Sequence, residues 1–118
     1  MNMETQIPAA AERPGVTVEQ LRENVVAALR TIFDPEIPVN IYDLGLIYAL
    51  DVDGTGRVDI RMTLTAPACP VAETFPGTVE SRLYQVPGVG EVRVELVWEP
   101  PWTMDRLTDD VKLQLGLL

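Results

Sequence analysis

The chain has 118 residues, of which 47% are hydrophobic, and its 18 acidic and 9 basic residues give a formal net charge of −9. This length fits one domain with a packed core. There is no histidine and only one cysteine, Cys69, which excludes a Ser-His-Asp triad, a His-ligated zinc site, an intramolecular disulfide and a CxxC redox pair within the chain.

The charge balance and the apolar runs also restrict the partners and the location. Nucleic-acid binding depends on clustered Lys and Arg, which the chain lacks, so we expect no nucleic-acid partner. No apolar run approaches the roughly 20 residues that cross a bilayer, and the N-terminus lacks the basic-then-apolar order of a signal peptide. We therefore expect no membrane association and a cytoplasmic location.

The first regular element is predicted to be a helix that follows an N-terminal arm. Residues 1–15 hold two prolines and no periodicity, and they are expected to form a flexible arm before a single domain over residues 16–118. Thr17 and Gln20 form a capping-box pattern, and Pro35 should end the helix. The apolar stripe predicted for this helix is Val18, Leu21, Val25, Leu29 and Ile32.

A loop and a β-hairpin are predicted next. Residues 34–40 contain two prolines and can be neither helix nor ladder strand. Two strands then flank a turn at residues 53–56, and the second strand alternates between apolar and polar residues. One face of the first strand is predicted to carry Leu46, Tyr48, Leu50 and Val52. The second strand should direct Val58, Ile60, Met62 and Leu64 inward and Asp59, Arg61, Thr63 and Thr65 outward.

A helix, a third strand and a last helix complete the predicted order. Pro70 suits the first helical position, and Pro76-Gly77 should kink or split this helix. The strand is predicted from about Glu91 to Glu99, and the last helix from Thr103 or shortly after to Gly116. The order α-β-β-α-β-α predicts an α+β fold, a two-layer sandwich with a small mixed sheet, and leaves the strand order open.

Cys69 is the first candidate for chemistry. It lies at a helix start beside Pro67 and Pro70, where free N–H groups and the helix dipole favour the thiolate. A thiolate is both the nucleophilic form and the form that binds soft metals. Alternatively, Cys69 is a small buried hydrophobe. A helix split at Pro76 would weaken the first interpretation, because its short first piece has little dipole.

Carboxylates and hydroxyls near the predicted loops are the second set of candidates. Asp34 and Glu36 leave the first helix in a rigid loop, where either could ligate iron, hold a partner's base or face water from a turn. Asp43 is a ligand or a turn residue. Thr63 and Thr65 lead to the cysteine and either hydrogen-bond a ligand or serve as β-branched strand residues.

Two tryptophans lie in a proline-rich stretch after the third strand. Trp98, Pro100, Pro101 and Trp102 form an aromatic–proline cluster, which is either a lid that packs the last helix or a partner-docking surface. The sequence favours the lid.

Three stretches together resemble the SufT-like iron–sulfur assembly family, also called the metal–sulfur cluster biosynthetic family. They are DPEIPV with IYDLGLIY (34–39 and 41–48), MTLTAPACP (62–70) and VGEVRVELVWEPPW (89–102). The resemblance covers about residues 17–118 and implies the fold of the iron–sulfur cluster assembly domain superfamily. It also implies that Cys69 is the family cysteine, and that Asp34 and Glu36 belong to the Asp-Pro-Glu motif.

This resemblance implies a bacterial or archaeal accessory factor, not an enzyme, that helps to mature iron–sulfur proteins. Its implied partners are iron–sulfur assembly proteins and client apoproteins. PaaD-type factors for a ring oxygenase are similar but carry an additional cysteine-rich C-terminal motif. Fused ATPase carriers have a P-loop, and no GxxxxGK[ST] occurs here.

The lone cysteine limits how a metal could be held. One thiolate cannot fill the usual four-ligand shell of a cluster, so we expect no stably bound cofactor. Transient contact of iron or an iron–sulfur cluster with Cys69, assisted by Asp34 or Glu36, would need a second copy, a partner's ligands or a small thiol. A homodimer is compatible with this. The alternatives are a metal-free adaptor that recruits clients through Trp98 and Trp102, a PaaD-like factor, and a thiol-dependent enzyme.

Overall fold

The fold follows the predicted order α-β-β-α-β-α, with a short 3-10 turn at Met104–Arg106 before the last helix. The computed structural model describes residues 17–66 and 69–117, and the predicted N-terminal arm lies outside these residues. The helices are α1 (Val18–Leu29), α2 (Cys69–Leu83) and α3 (Asp109–Gln114), and the strands are β1 (Ile47–Val52), β2 (Arg57–Met62) and β3 (Glu91–Leu96).

The three strands form one mixed sheet in the order β1-β2-β3. β1 and β2 are an antiparallel hairpin, whereas β2 and β3 are parallel, with Val58 opposite Val92 and Ile60 opposite Val94. The parallel pair requires a crossover connection, which α2 supplies. Because α1 contacts β1 and α2 contacts β3, the predicted two-layer α+β sandwich is confirmed.

The core lies between the helices and the sheet. Thr17 caps α1 as predicted, since its hydroxyl accepts a hydrogen bond of 3.0 Å from the Gln20 N–H. Val18 of the predicted stripe is exposed, because it lies in the first turn, before the helix reaches the sheet. The fully buried side chains of the core include Leu29, Ile41, Leu44, Ile60, Met62, Val79 and Leu83.

The predicted face of β1 is partly wrong. The pairing with β2 shifts by one residue between Ile47 and Ala49, so Ile47 lies opposite Met62 and Leu50 opposite Ile60. Such an extra residue rotates the side chains on one side of it to the other face. Ile47 therefore joins Leu50 against the core, and Tyr48 does not.

The helix after β2 is not split at Pro76. α2 runs over 15 residues from Cys69 to Leu83 with Pro76 inside it, although proline gives up one backbone hydrogen bond there. The last helix begins later than predicted, because residues after Thr103 first form the 3-10 turn and Thr108 caps α3. The Thr108 hydroxyl accepts a hydrogen bond of 3.2 Å from the Val111 N–H.

Side chains form hydrogen bonds with backbone groups at both edges of the sheet. At the β3 edge, the Val92 N–H donates to the Tyr84 hydroxyl at 3.1 Å and the Val94 N–H donates to Glu80 Oε2 at 3.2 Å. At the β1 edge, Arg22 Nη1 donates to the Leu50 carbonyl at 2.9 Å. Exposed strand edges invite pairing with other chains, so these contacts oppose extension of the sheet by a second copy.

The β1–β2 turn is held by one carboxylate. Asp53 Oδ1 accepts hydrogen bonds from the Thr55 hydroxyl at 2.7 Å and from the backbone N–H groups of Thr55 and Arg57. These bonds, that from the Thr55 hydroxyl first, lower the pKa of Asp53 below its usual value of 3.8. The turn predicted at residues 53–56 is therefore stabilised by the Asp53 carboxylate.

Thr63 is buried, which contradicts its predicted outward position. It has 0% exposure, and its hydroxyl finds no hydrogen-bond partner among the described residues. The chain continues past the strand ends on both sides, since the Thr63 N–H donates to the Leu46 carbonyl and the Val97 N–H to the Met62 carbonyl. Thr63 therefore lies where backbone segments continue both neighbouring strands, and its side chain is buried rather than outward.

We expect Thr63→Val to raise the free energy of unfolding by about 1 kcal/mol, because valine has a similar shape and removes an unpaired buried hydroxyl. Urea denaturation of both proteins measures the change. Thr108→Val is the matched control, since it removes a capping hydroxyl and should lower stability by about 1 kcal/mol. If Thr63→Val lowers stability as much as the control does, the Thr63 hydroxyl has a partner.

Candidate functional site

The loop after α1 is organised by the buried carboxylate of Asp34. This residue is 6% exposed, and its Oδ2 accepts hydrogen bonds from the N–H groups of Glu36 at 2.9 Å and Ile37 at 2.7 Å. Its own N–H donates to the Val39 carbonyl at 3.1 Å. These contacts give Asp34 the turn-forming role, and a role as a metal ligand stays a prediction.

Glu36 is the exposed carboxylate of the same loop. Its Oε1 accepts a hydrogen bond of 3.3 Å from the Thr65 hydroxyl, which is long for this type of bond. Thr65 lies in the segment that leads from β2 to α2. The contact therefore brings the Asp-Pro-Glu loop to the chain segment that precedes the cysteine.

Cys69 is the first residue of α2. Its thiol, the Pro70 side chain and all of Pro67 lie outside the described part of the chain, so their predicted roles stay predictions. Because α2 is continuous over 15 residues, the objection that Pro76 leaves only a short dipole no longer applies. The backbone of Cys69 is placed where unpaired helix N–H groups favour a thiolate.

Asp43 is engaged in a local network rather than free. Its Oδ2 accepts a hydrogen bond of 2.9 Å from the Asn40 amide, and its N–H donates to Asn40 Oδ1 at 2.8 Å. Its Oδ1 lies 3.4 Å from Arg30 Nε, and the Arg30 guanidinium lies 5.0 Å from the centre of the Tyr42 ring. This geometry fits the turn interpretation, and a supporting role of Asp43 at the site stays a prediction.

The two tryptophans have different environments. Trp102 packs against the core, and its indole N–H donates to the Leu44 carbonyl at 2.7 Å. The Tyr48 hydroxyl also donates to the Pro100 carbonyl at 2.7 Å. The segment after β3 is thus attached to the residues around β1, and the lid over the last helix stays a prediction. Trp98 is 41% exposed, and partner docking by Trp98 or Trp102 stays a prediction.

Phe33 is absent from the sequence-based candidates, although it lies beside the site. Its neighbours Ile32 and Asp34 are buried, whereas Phe33 itself is 58% exposed. The sequence gives one signal for the exposure of Phe33. This apolar residue follows Ile32 but does not belong to the predicted apolar stripe of α1.

The described side chains contain no complete metal site. In residues 17–66 and 69–117, no group of three or more His, Cys, Asp or Glu side chains could hold a metal ion. Within these same ranges, no helix has the length and apolar character needed to cross a membrane. What the described residues provide is a loop with one exposed carboxylate that contacts Thr65, in the segment between β2 and α2.

The fold is that of a small α+β domain, with a single cysteine at the first position of α2 and a carboxylate loop that contacts the segment before α2. The family described as "Iron-sulfur cluster assembly protein" matches residues 22–96. The chain belongs to this family, which confirms the resemblance seen in the sequence.

Relatives and a solved structure agree with this assignment. A "Fe-S protein maturation auxiliary factor" from Porphyromonas gingivalis is 48% identical over 84% of this chain and 94% of its own length. The "Fe-S protein maturation auxiliary factor SufT" from Staphylococcus aureus is 36% identical over 73% of this chain and 98% of its own. The crystal structure of a domain of unknown function from Bacillus anthracis has a TM-score of 0.74 and 36% identity, covering 85% of this chain and 95% of that one.

Proposed function

We propose that this protein is an accessory factor in the maturation of iron–sulfur proteins, which contacts iron or a cluster transiently through Cys69. Membership of the family and the printed names of its relatives support the general role. The observation that carries the specific site is the contact between Glu36 and Thr65, because it joins an exposed carboxylate to the segment that leads to the cysteine.

We assign a different role to each of the three site residues. The thiolate of Cys69 would supply one soft ligand to iron, favoured by the N-terminus of α2. Glu36 is the better placed carboxylate for a second, oxygen ligand, because it is exposed while Asp34 is buried. Asp34 holds the loop in shape through its bonds to two backbone N–H groups.

A site with so few ligands suits transfer rather than storage. A cluster normally has four protein ligands, so iron or a cluster held here would keep open positions. The ligands of a client apoprotein could fill them, and the cargo would then leave. No stably bound cofactor is required, and a cytoplasmic protein that works with assembly proteins and apoproteins fits this use.

A metal-free adaptor is the second candidate, and the exposure of Trp98 favours it. It would recruit clients through Trp98 and Trp102 without binding iron. A PaaD-like factor would be a special case with one type of client. A thiol-dependent enzyme fits less well, because the carboxylate of Asp34, the one base suggested by the sequence, is already an acceptor for two N–H groups.

Anaerobic reconstitution with ferrous iron and sulfide tests the proposal. We expect the wild-type protein to bind iron with a visible charge-transfer absorption, and Cys69→Ser to bind none. Glu36→Gln should keep the absorption but lose its iron faster to a chelator, because a neutral amide oxygen is a weaker ligand for iron than a carboxylate. Absence of bound iron in the wild-type protein, or equal iron in the wild type and Cys69→Ser, would favour the adaptor.

A further inference from the structure

Apart from Glu36, the Asp-Pro-Glu loop presents an apolar surface that the proposed iron chemistry does not use. Phe33 is 58% exposed, and Pro35 and Pro38 are exposed as well. With Glu36 they form what we call the Phe33 tip. A large exposed aromatic side chain forgoes part of its burial energy, and rigid aromatic groups of this kind are typical anchors of protein interfaces.

The Phe33 tip is held in one shape before any partner arrives. Phe33 pairs with Asn40 in an isolated antiparallel bridge, and the Val39 N–H donates to the Ile37 carbonyl at 2.6 Å. Asp34 ties down the backbone between them, and two prolines fix their own φ angles. A preformed surface loses little conformational entropy on binding.

Glu36 is the exposed carboxylate of the Phe33 tip. Of the cations near the tip, Arg30 is paired with Asp43, and Arg82 donates hydrogen bonds to the carbonyl and hydroxyl oxygens of Thr31. The whole chain carries a formal charge of −9. A complementary partner therefore has a shallow apolar pocket for Phe33 and a border of Lys or Arg for Glu36.

The position of the tip points to one class of partner. Through Glu36 and Thr65 the tip adjoins the segment that leads to Cys69, so a bound protein lies next to the proposed transfer site. A cluster with its thiolate ligands is an anion. Basic side chains that border the empty site of an apoprotein would stabilise the cluster once it is bound there. An apoprotein that awaits a cluster thus has the charge that the tip requires.

We propose that the Phe33 tip docks the client apoprotein, with Phe33 in an apolar pocket beside basic residues that border the empty cluster site. Docking there holds the client's ligand cysteines close to Cys69. This inference rests on the proposed function and adds the surface that selects the recipient. It also separates recognition by Phe33 from chemistry by Cys69.

The experiment measures binding of the full chain to a [4Fe–4S] hydro-lyase stripped of its cluster, by anaerobic calorimetry at low and high salt. We expect Phe33→Ala to weaken binding at least tenfold, and binding of the wild type to weaken as salt rises. Leu113→Ala is the matched control, since Leu113 is 64% exposed on α3, and it should bind like the wild type.

The other possible outcomes contradict either the docking proposal or the proposed function. Absence of binding by the wild type, binding by Phe33→Ala within twofold of the wild type, or equal weakening by Leu113→Ala would overturn the docking proposal. Failure of iron reconstitution, by contrast, overturns the proposed function while the binding data stand, so the two failures are distinguishable.

Discussion

Replacing Cys69 with serine should reduce iron–sulfur enzyme activity in cells to the level of a strain that lacks this protein. The physical reason is that serine is a poor ligand for iron at neutral pH, because its hydroxyl stays protonated where a thiol at a helix start ionises. The measurement is the activity of a [4Fe–4S] hydro-lyase in a bacterial strain whose own factor of this family is deleted and replaced by this chain.

The same substitution should leave the fold intact. Serine is close to cysteine in size and is well tolerated near a helix start, so we expect a change in stability of less than about 0.5 kcal/mol. Equal protein levels and equal urea midpoints are the controls. Full enzyme activity with Cys69→Ser would show that the thiol is not needed and would leave the adaptor as the better function.

Asp34→Ala should lower the free energy of unfolding by about 3 kcal/mol, the largest stability effect that we expect at the site. It would leave the N–H groups of Glu36 and Ile37 without their acceptor, and hydrogen bonds to a charged group contribute roughly 1.5–3 kcal/mol each. Urea denaturation measures the loss, and enzyme activity in cells should fall with it.

Asp34→Asn is the matched control, because its amide oxygen can still accept both hydrogen bonds. We expect it to cost about 1 kcal/mol, since the charge is lost but the acceptor remains. If Asp34→Ala keeps wild-type stability and loses bound iron on reconstitution, then Asp34 is a ligand rather than the residue that shapes the loop.

Local patterns predicted much of this fold. The cap at Thr17, the turn at Asp53 and the alternation in β2 each depend on residues within a few positions of one another, and periodicity reports such short-range order. Two predictions about individual side chains failed because they depended on tertiary contacts. Tyr48 does not lie on its expected face because the pairing with β2 shifts by one residue, and Thr63 is buried rather than outward.

The candidate site was predictable in part for the same reason. The sequence alone indicated Cys69 at a helix start and the Asp-Pro-Glu loop as separate candidates. It could not distinguish Asp34 from Glu36, because burial of one carboxylate and exposure of the other are set by tertiary packing. The contact between Glu36 and Thr65 joins residues 29 positions apart, and no local pattern reports such a distance.

The bond from the Trp102 indole to the Leu44 carbonyl has a consequence for the order of folding. It joins residues 58 positions apart, and contacts of such long separation form late because a long loop must close first. The β1–β2 hairpin and α1 need no such closure. The Asp-Pro-Glu loop needs no such closure either, because Asp34 bonds to N–H groups two and three residues away. The contact between the end of the chain and Leu44, just before β1, should therefore form last, after the loop already has its shape.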